Sequence, residues 1–161
     1  LQGQPVFAFD LETTEPMLEG EFTPGLAKPL GFSVSVREGD AVYYAGSPTV
    51  IRELLEDERT VTVCHNAKFE YEVLKGVGVT LRGFEDTKLM AYVLGYFSTG
   101  LKDLSLRLLG ERQVRLEELK TQCGVASTTE LTPEQWVDYG CADADLTLRI
   151  YHILKEELLG H

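Results

Sequence analysis

The stretch VFAFDLETT, residues 6–14, decides how the rest of the chain is read. It opens as a short apolar run and closes on two carboxylates and two threonines. Side chains on a strand alternate between faces, so Phe7, Phe9 and Leu11 share one face and Val6, Ala8, Asp10 and Glu12 the other. Asp10 and Glu12 therefore stand side by side at the strand's end, on a face that begins small and apolar. Two carboxylates so placed repel each other unless a cation lies between them. Mg²⁺ or Mn²⁺ would suit, because hard cations take oxygen ligands. Asp-x-Glu at a solvated strand end is common, so the pair needs company before it signifies a metal site.

Outward from this strand, a loop holding Pro16, Gly20, Pro24, Gly25 and Pro29 leads to residues 30–36, which alternate as a strand. Glu38, Gly39 and Asp40 make a turn, and residues 41–44 complete a hairpin. Helical spacing covers residues 48–56, Val61–Cys64 is a short β-branched strand, and residues 66–75 form a helix closed by Gly76. A strand at 79–81 is expected to lead to a helix over 87–94 capped by Asp86, with another helix over Leu101–Leu109. Thr132, Pro133 and Gln135 supply an N-cap, a first-turn proline and a capping-box partner for a last helix running to about Leu158. Strands first, then strand–helix alternation, then helices describe an α/β chain with a mixed central sheet flanked by helices. At 161 residues the chain, 1–161, is expected to be one domain.

No apolar run approaches the ~20 residues of a membrane span, and no basic segment followed by an apolar stretch marks a signal peptide. Cys64, Cys123 and Cys141 fit neither a disulfide framework nor a zinc pattern, so a reducing, cytoplasmic setting is expected. His65, His152 and His161 are equally scattered. A start at Leu1 rather than Met predicts a piece of something longer. The formal charge of −11 opposes binding to nucleic acid, which Lys and Arg normally carry. Either the partner is not a polyanion, or part of the charge is gathered into a site neutralised by divalent cations.

Further acidic residues bear on that choice. On the last helix Asp138, Ala142, Asp145, Arg149, His152 and Glu156 form a stripe that reads as solvated. Asp143 falls instead on the line Tyr139, Asp143, Leu146, Ile150, Ile153, which is otherwise apolar or aromatic. A lone carboxylate there is costly unless paired or metal-bound, and Tyr139, one turn earlier, reaches the same space. An arginine partner or a helix-capping role would serve as well. On the helix 66–75, Glu72 lies near Lys68 and Lys75, whereas Glu70 sits by Asn66, Val73 and Leu74, nearer the apolar side. Asn66 taken alone reads first as a helix cap, then as a contact to a nucleotide or a loop.

FDLETT, HNAKFEYEVL and YGCADADLT resemble, in that order, the three motifs of the DEDD exonucleases. Tyr139, four residues before Asp143, matches the subtype with tyrosine in its third motif. LGFSVSVREGDAVYY, EDTKLMAYVLG and GLKDLSLRLLG resemble further segments of the proofreading domain of bacterial family A DNA polymerases, so the likeness runs from Val6 to about Leu158. The resemblance implies a ribonuclease H-like fold and two-metal hydrolysis of the 3′-terminal phosphodiester of DNA, releasing nucleoside 5′-monophosphates. It implies two divalent cations, Mg²⁺ or Mn²⁺, held by Asp10, Glu12 and Asp143, with Glu70 at the fourth acidic position. Tyr139 and Glu12 would orient the attacking water, and Thr13, Asn66, Phe69 and Leu101 would lie beside the terminal nucleotide. The implied partners are a single-stranded or frayed 3′ end of DNA and a polymerase domain in the same parent chain, with no membrane. Lys68, Lys88, Lys102 and Arg107 are candidate phosphate contacts, each reading first as solvated surface charge.

The family has aspartate where this chain has Glu70. The extra methylene moves the carboxylate by about a bond length, and Mg²⁺ tolerates poor geometry badly. Two other readings stand beside the first: a free-standing exonuclease on RNA, similar to ribonuclease D or Werner-type domains, and a scaffold that has lost its metal ligands. The polymerase-like spacers argue against the one. Retention of Asp10, Glu12, Tyr139 and Asp143 argues against the other. An acidic protein-interaction module would explain the composition but not the motif order.

Overall fold

Both faces of the first strand are apolar at their start, and the structure buries both. In the computed structural model, which describes residues 4–160, strand β1 (Val6–Thr13) is the middle of a five-stranded sheet. Next come β2 (Met17–Leu18) and β3 (Glu21–Phe22), a separate two-stranded ladder, and the hairpin β4 (Pro29–Arg37) and β5 (Asp40–Tyr44). Then follow α1 (Arg52–Leu55), β6 (Val61–Cys64), α2 (Ala67–Gly76), β7 (Phe84–Asp86) and α3 (Thr87–Val93). The helices α4 (Leu101–Leu109), α5 (Leu116–Cys123) and α6 (Pro133–Leu159) complete the chain. Sheet order is β5-β4-β1-β6-β7, antiparallel from β5 to β1 and parallel from β1 to β7. This is the mixed, helix-flanked, ribonuclease H-like arrangement that the motifs implied.

Phe7, Phe9 and Leu11 pack into the main core with Leu55, Val73, Leu74, Val79 and Leu81. The opposite face, with Ala8 and Glu12, lies under α6, which crosses β1, β4 and β5. Gly140 marks the closest approach: a Cβ there would lie 2.5 Å from Ser33 Oγ, 3.2 Å from Tyr43 Cδ2 and 3.5 Å from Glu12 Oε1. Helix propensity alone favours alanine over glycine by roughly 1 kcal/mol. Overpacking against the sheet costs about 1–3 kcal/mol, so Gly140→Ala is expected to lower the melting temperature in a thermal scan. A rise would show that the helix can lift off β1 without loss.

Several elements depart from expectation. Residues 79–81 are not a strand: Val79 and Leu81 are buried, but Val79 N–H donates to Leu74 C=O and Arg82 N–H to Leu55 C=O. Alternation there reports burial, and the strand that pairs with β6 is β7, just beyond. Residues 48–56 split into a 3₁₀ turn, Pro48–Ile51, and the single turn α1. The stripe on α6 is not simply solvated. Asp145 accepts from Gly39 N–H at 2.7 Å, and Arg149 sits between Glu38 at 3.2 Å and Glu111 at 2.9 Å, because the β4–β5 turn and the Glu111 loop reach across the helix.

Asn66 does not cap α2. Its backbone is left-handed, with φ 77°, and its side chain makes no cap hydrogen bond. Asp86 does the work instead: its carboxylate accepts from the N–H groups of Asn66, Ala67 and Lys88, each at 2.9 Å, joining the starts of α2 and α3. Charge-assisted bonds of this kind are the strong ones. Asp86→Ala is therefore expected to cost about 2–3 kcal/mol, readable in urea unfolding; a loss under half of that would mean that water replaces the carboxylate. Among the described residues no helix is long and apolar enough to cross a membrane, and all three cysteines are free.

Candidate active site

Strand β1 ends with Asp10 and Glu12 facing α6, and α6 carries Asp143 one turn beyond its contact with the sheet at Gly140. One carboxylate oxygen from each of Asp10, Glu12 and Asp143 lies within 4.8 Å of the others. Glu12 and Asp143 are buried and Asp10 is half-buried. Burial, and then Asp143, push the Asp10 carboxyl up to about 7. Burial, and then Asp10 and Asp143, hold Glu12 well above the usual carboxylate range. Burial raises Asp143 as well, against the opposing charge of Lys102.

Glu70 on α2 is not one of this trio, although it lines the same cleft and is only 3% exposed. Burial, followed by the charge of Asp10, pushes its carboxyl well up. Glu12 Oε1 and Glu70 Oε2 are buried with no hydrogen-bond partner among the described residues. Buried oxygens without donors, in a cluster that resists ionisation, fit a hard divalent cation. Neighbouring oxygens on an octahedral Mg²⁺ stand about 3 Å apart and opposite ones about 4.2 Å, so the trio has to draw inward to hold one.

The cleft above the carboxylates, about 470 Å³, is lined by eight of the nine predicted site residues: Asp10, Glu12, Thr13, Asn66, Phe69, Glu70, Tyr139 and Asp143. Leu101 is the exception. It packs in a satellite core with Ala91, Leu104, Ile150 and Leu154, because α4 turns that side chain toward α3 and α6. Leu116, Lys120 and Trp136 also line the cleft and were not anticipated. Their signals were present: Leu116, Leu119 and Cys123 at helical steps before Gly124, which takes the left-handed C-cap, and Trp136 three residues before Tyr139. A larger, more apolar groove of about 590 Å³ adjoins at Asn66 and holds Lys68 and Lys88. Its one carboxylate, Asp86, is already spent on backbone N–H groups, so the smaller cleft is where the chemistry lies.

The walls are braced. Glu15 accepts from Thr128 N–H at 2.6 Å and from Ser127 Oγ at 3.0 Å, and Thr128 Oγ1 donates to Thr13 C=O at 2.9 Å, tying the turn before α6 to the end of β1. His65 also lines the cleft, but its Nε2 donates to Thr99 C=O at 2.8 Å and its Nδ1 bonds Thr87 Oγ1 at 2.8 Å. Burial pulls its pKa down to about 4, so it is a neutral pin that fixes the approach to α4. Tyr139 stacks edge-on against Trp136, with ring centroids 5.9 Å apart. Burial, and then Asp143, Glu12 and Asp10, push its hydroxyl far up, so it keeps its proton. Lys102 is no surface charge: its side chain is 12% exposed and its ammonium contacts Asp143 Oδ1.

A family model described as a 3′-5′ exonuclease matches residues 1–159. The chain belongs to that family, the exonuclease domains of family A DNA polymerases. The exonuclease is 31% identical over 180 residues to DNA polymerase I of Pseudomonas aeruginosa, covering 98% of this chain and 19% of that protein. It is 34% identical over 111 residues to DNA polymerase I of Rhizobium leguminosarum, covering 67% and 11%. The exonuclease thus spans less than a fifth of the length of these curated relatives. Brucella melitensis NrnC with bound Mg²⁺ shares its fold, with a TM-score of 0.74 at 19% identity over 98% of this chain and 74% of that one.

Proposed function

We propose that this exonuclease removes nucleotides one at a time from the 3′ end of single-stranded or frayed DNA, releasing nucleoside 5′-monophosphates, as the proofreading part of a longer intracellular polymerase chain. The observation that carries this reading is the carboxylate trio of Asp10, Glu12 and Asp143, within 4.8 Å, on the floor of the cleft. The DNA polymerase I relatives favour DNA over RNA as substrate.

Asp10, Glu12 and Asp143 would hold a divalent cation, and Glu70, lining the same cleft, would help to hold a second. Such a pair of ions supplies an activated water and stabilises the leaving 3′-oxygen of an in-line displacement. The chain's own residues do the rest. Glu12 lines the cleft beside Tyr139 and is placed to orient the attacking water. Tyr139 keeps its proton and orients that water instead of serving as a base. Phe69, Leu116 and Trp136 give the cleft apolar walls that exclude bulk water, while Thr13 and Asn66 offer polar contacts to a terminal nucleotide. Leu101 falls outside this set because of its packing.

The test is a gel assay of a 5′-labelled single-stranded DNA with Mg²⁺, Mn²⁺ or EDTA, beside an Asp10→Ala control. A metal-dependent ladder that shortens from the 3′ end and is absent in the control is expected. No cleavage with either metal at high enzyme concentration would sink the active-enzyme reading and favour the scaffold. Equal trimming of an RNA oligomer would remove the stated preference for DNA.

A further inference from the structure

Lys102 is the second residue of α4, on a helix whose neighbouring positions, Leu101 and Leu104, pack toward α3 and α6. Its stem is carried with them, which brings its ammonium onto Asp143 Oδ1 and to 4.5 Å from the centroid of the Tyr139 ring. The lysine that lines the cleft itself, Lys120, is engaged by Glu117 at 3.0 Å. Among the described residues, Lys102 is the cation that touches the three clustered carboxylates, through Asp143. Its charge favours the ionised form of Asp10, Glu12 and Asp143 together.

We propose that Lys102 is the resident counter-ion of the metal-free centre, seated on Asp143 until a divalent cation displaces it, and that this exchange sets the metal affinity of the site. The inference rests on the metal-binding reading above. Both occupants are cations that seek the same carboxylate, and a buried carboxylate with neither would be strongly penalised. The structure also offers the ammonium somewhere to go. A further cavity of about 330 Å³ is lined by Lys102 itself together with Tyr139, Glu134 and Asp138. Glu134 and Asp138 make no ion pair among the described residues, and a four-carbon stem can swing between the two positions without moving α4. Lys102 is a positioning residue in this account. It guards the trio before metal arrives and leaves when it does.

The experiment is Mn²⁺ binding by calorimetry to the wild-type chain, Lys102→Met and Lys102→Arg, with ¹⁵N NMR of the lysine ammonium groups in wild type during a Mg²⁺ titration. Removing a unit charge that competes for one ligand is expected to tighten Mn²⁺ binding about tenfold, while Lys102→Arg stays near wild type. In the metal-free protein the Lys102 ammonium is expected to exchange slowly with water, and saturating Mg²⁺ to release it to fast exchange. Unchanged or weaker Mn²⁺ binding by folded Lys102→Met would overturn the proposal. If that variant does not fold, the wild-type NMR decides: an ammonium still protected at saturating Mg²⁺ overturns it equally. No Mn²⁺ binding by any of the three proteins would overturn the metal reading itself, and the exchange with it.

Discussion

Asp10→Ala is expected to abolish 3′-terminal cleavage and, in EDTA, to make the protein more stable. The loss of rate is about a thousandfold or more, some 4 kcal/mol of transition-state stabilisation, because Asp10 belongs to the trio and its charge also acts on Glu70. The stability gain has the same origin. Without a cation, Asp10 contributes charge to a cluster already held against ionisation by burial, and its carboxyl stands at about 7 instead of 3.8. A carboxyl with a raised folded pKa binds its proton more tightly in the native state, so it costs stability as pH rises from the unfolded value up to the folded one, and the full cost stands above that. The metal-free wild type should therefore lose stability between about pH 4 and 7 and level off above that, and Asp10→Ala should lose less. At pH 8 the substitution is expected to return on the order of 1–2 kcal/mol, after discounting for the partial exposure of Asp10, or a few degrees in melting temperature. Saturating Mg²⁺ should reverse the ranking, since only the wild type gains binding energy from it. Thermal scans across pH with and without Mg²⁺ check all of this. A variant that melts lower than wild type in EDTA at pH 8 would show that Asp10 is stabilised by donors and not strained by neighbours.

What could be read in advance, and what could not, follows from how local each signal was. Asp143 stood out because a single carboxylate interrupted an apolar line, and it is indeed buried. Glu12 was legible from strand alternation, since the face shared by Ala8, Asp10 and Glu12 is the one α6 covers. Lys102 was not legible. A lysine on an amphipathic helix reads as solvated, and only the packing of α4 on α6 brings it to Asp143. Helix α5 lies in a polar segment whose apolar stripe is three residues wide, a signal enough for the helix but not for placing Leu116 and Lys120 at the cleft. Asn66 misled for a different reason. Its position suits a cap, but Asp86, distant in sequence, supplies the acceptor and leaves Asn66 in a left-handed turn facing the cleft.

Glu70→Asp is expected to raise the rate with Mg²⁺ by about tenfold, and to do so less with Mn²⁺. The family pattern places aspartate here, on the first turn of α2, aimed at the same cleft. In this chain the carboxylate is longer by one methylene. It lies outside the trio whose oxygens come within 4.8 Å, and one of its oxygens is buried without a donor. A group so placed is poised near a cation but poorly aimed, and Mg²⁺ demands near-ideal octahedral geometry. Shortening the side chain withdraws the carboxylate by about a bond length and leaves room for water to complete the coordination shell. The small space left behind should cost no more than about 1 kcal/mol, since one methylene is lost. Single-turnover cleavage of a short single strand, with each metal, separates this effect from product release. A fall in rate on Glu70→Asp would mean the reverse: that here the longer side chain makes the contact, and that α2 is set too far back from β1 for aspartate to reach.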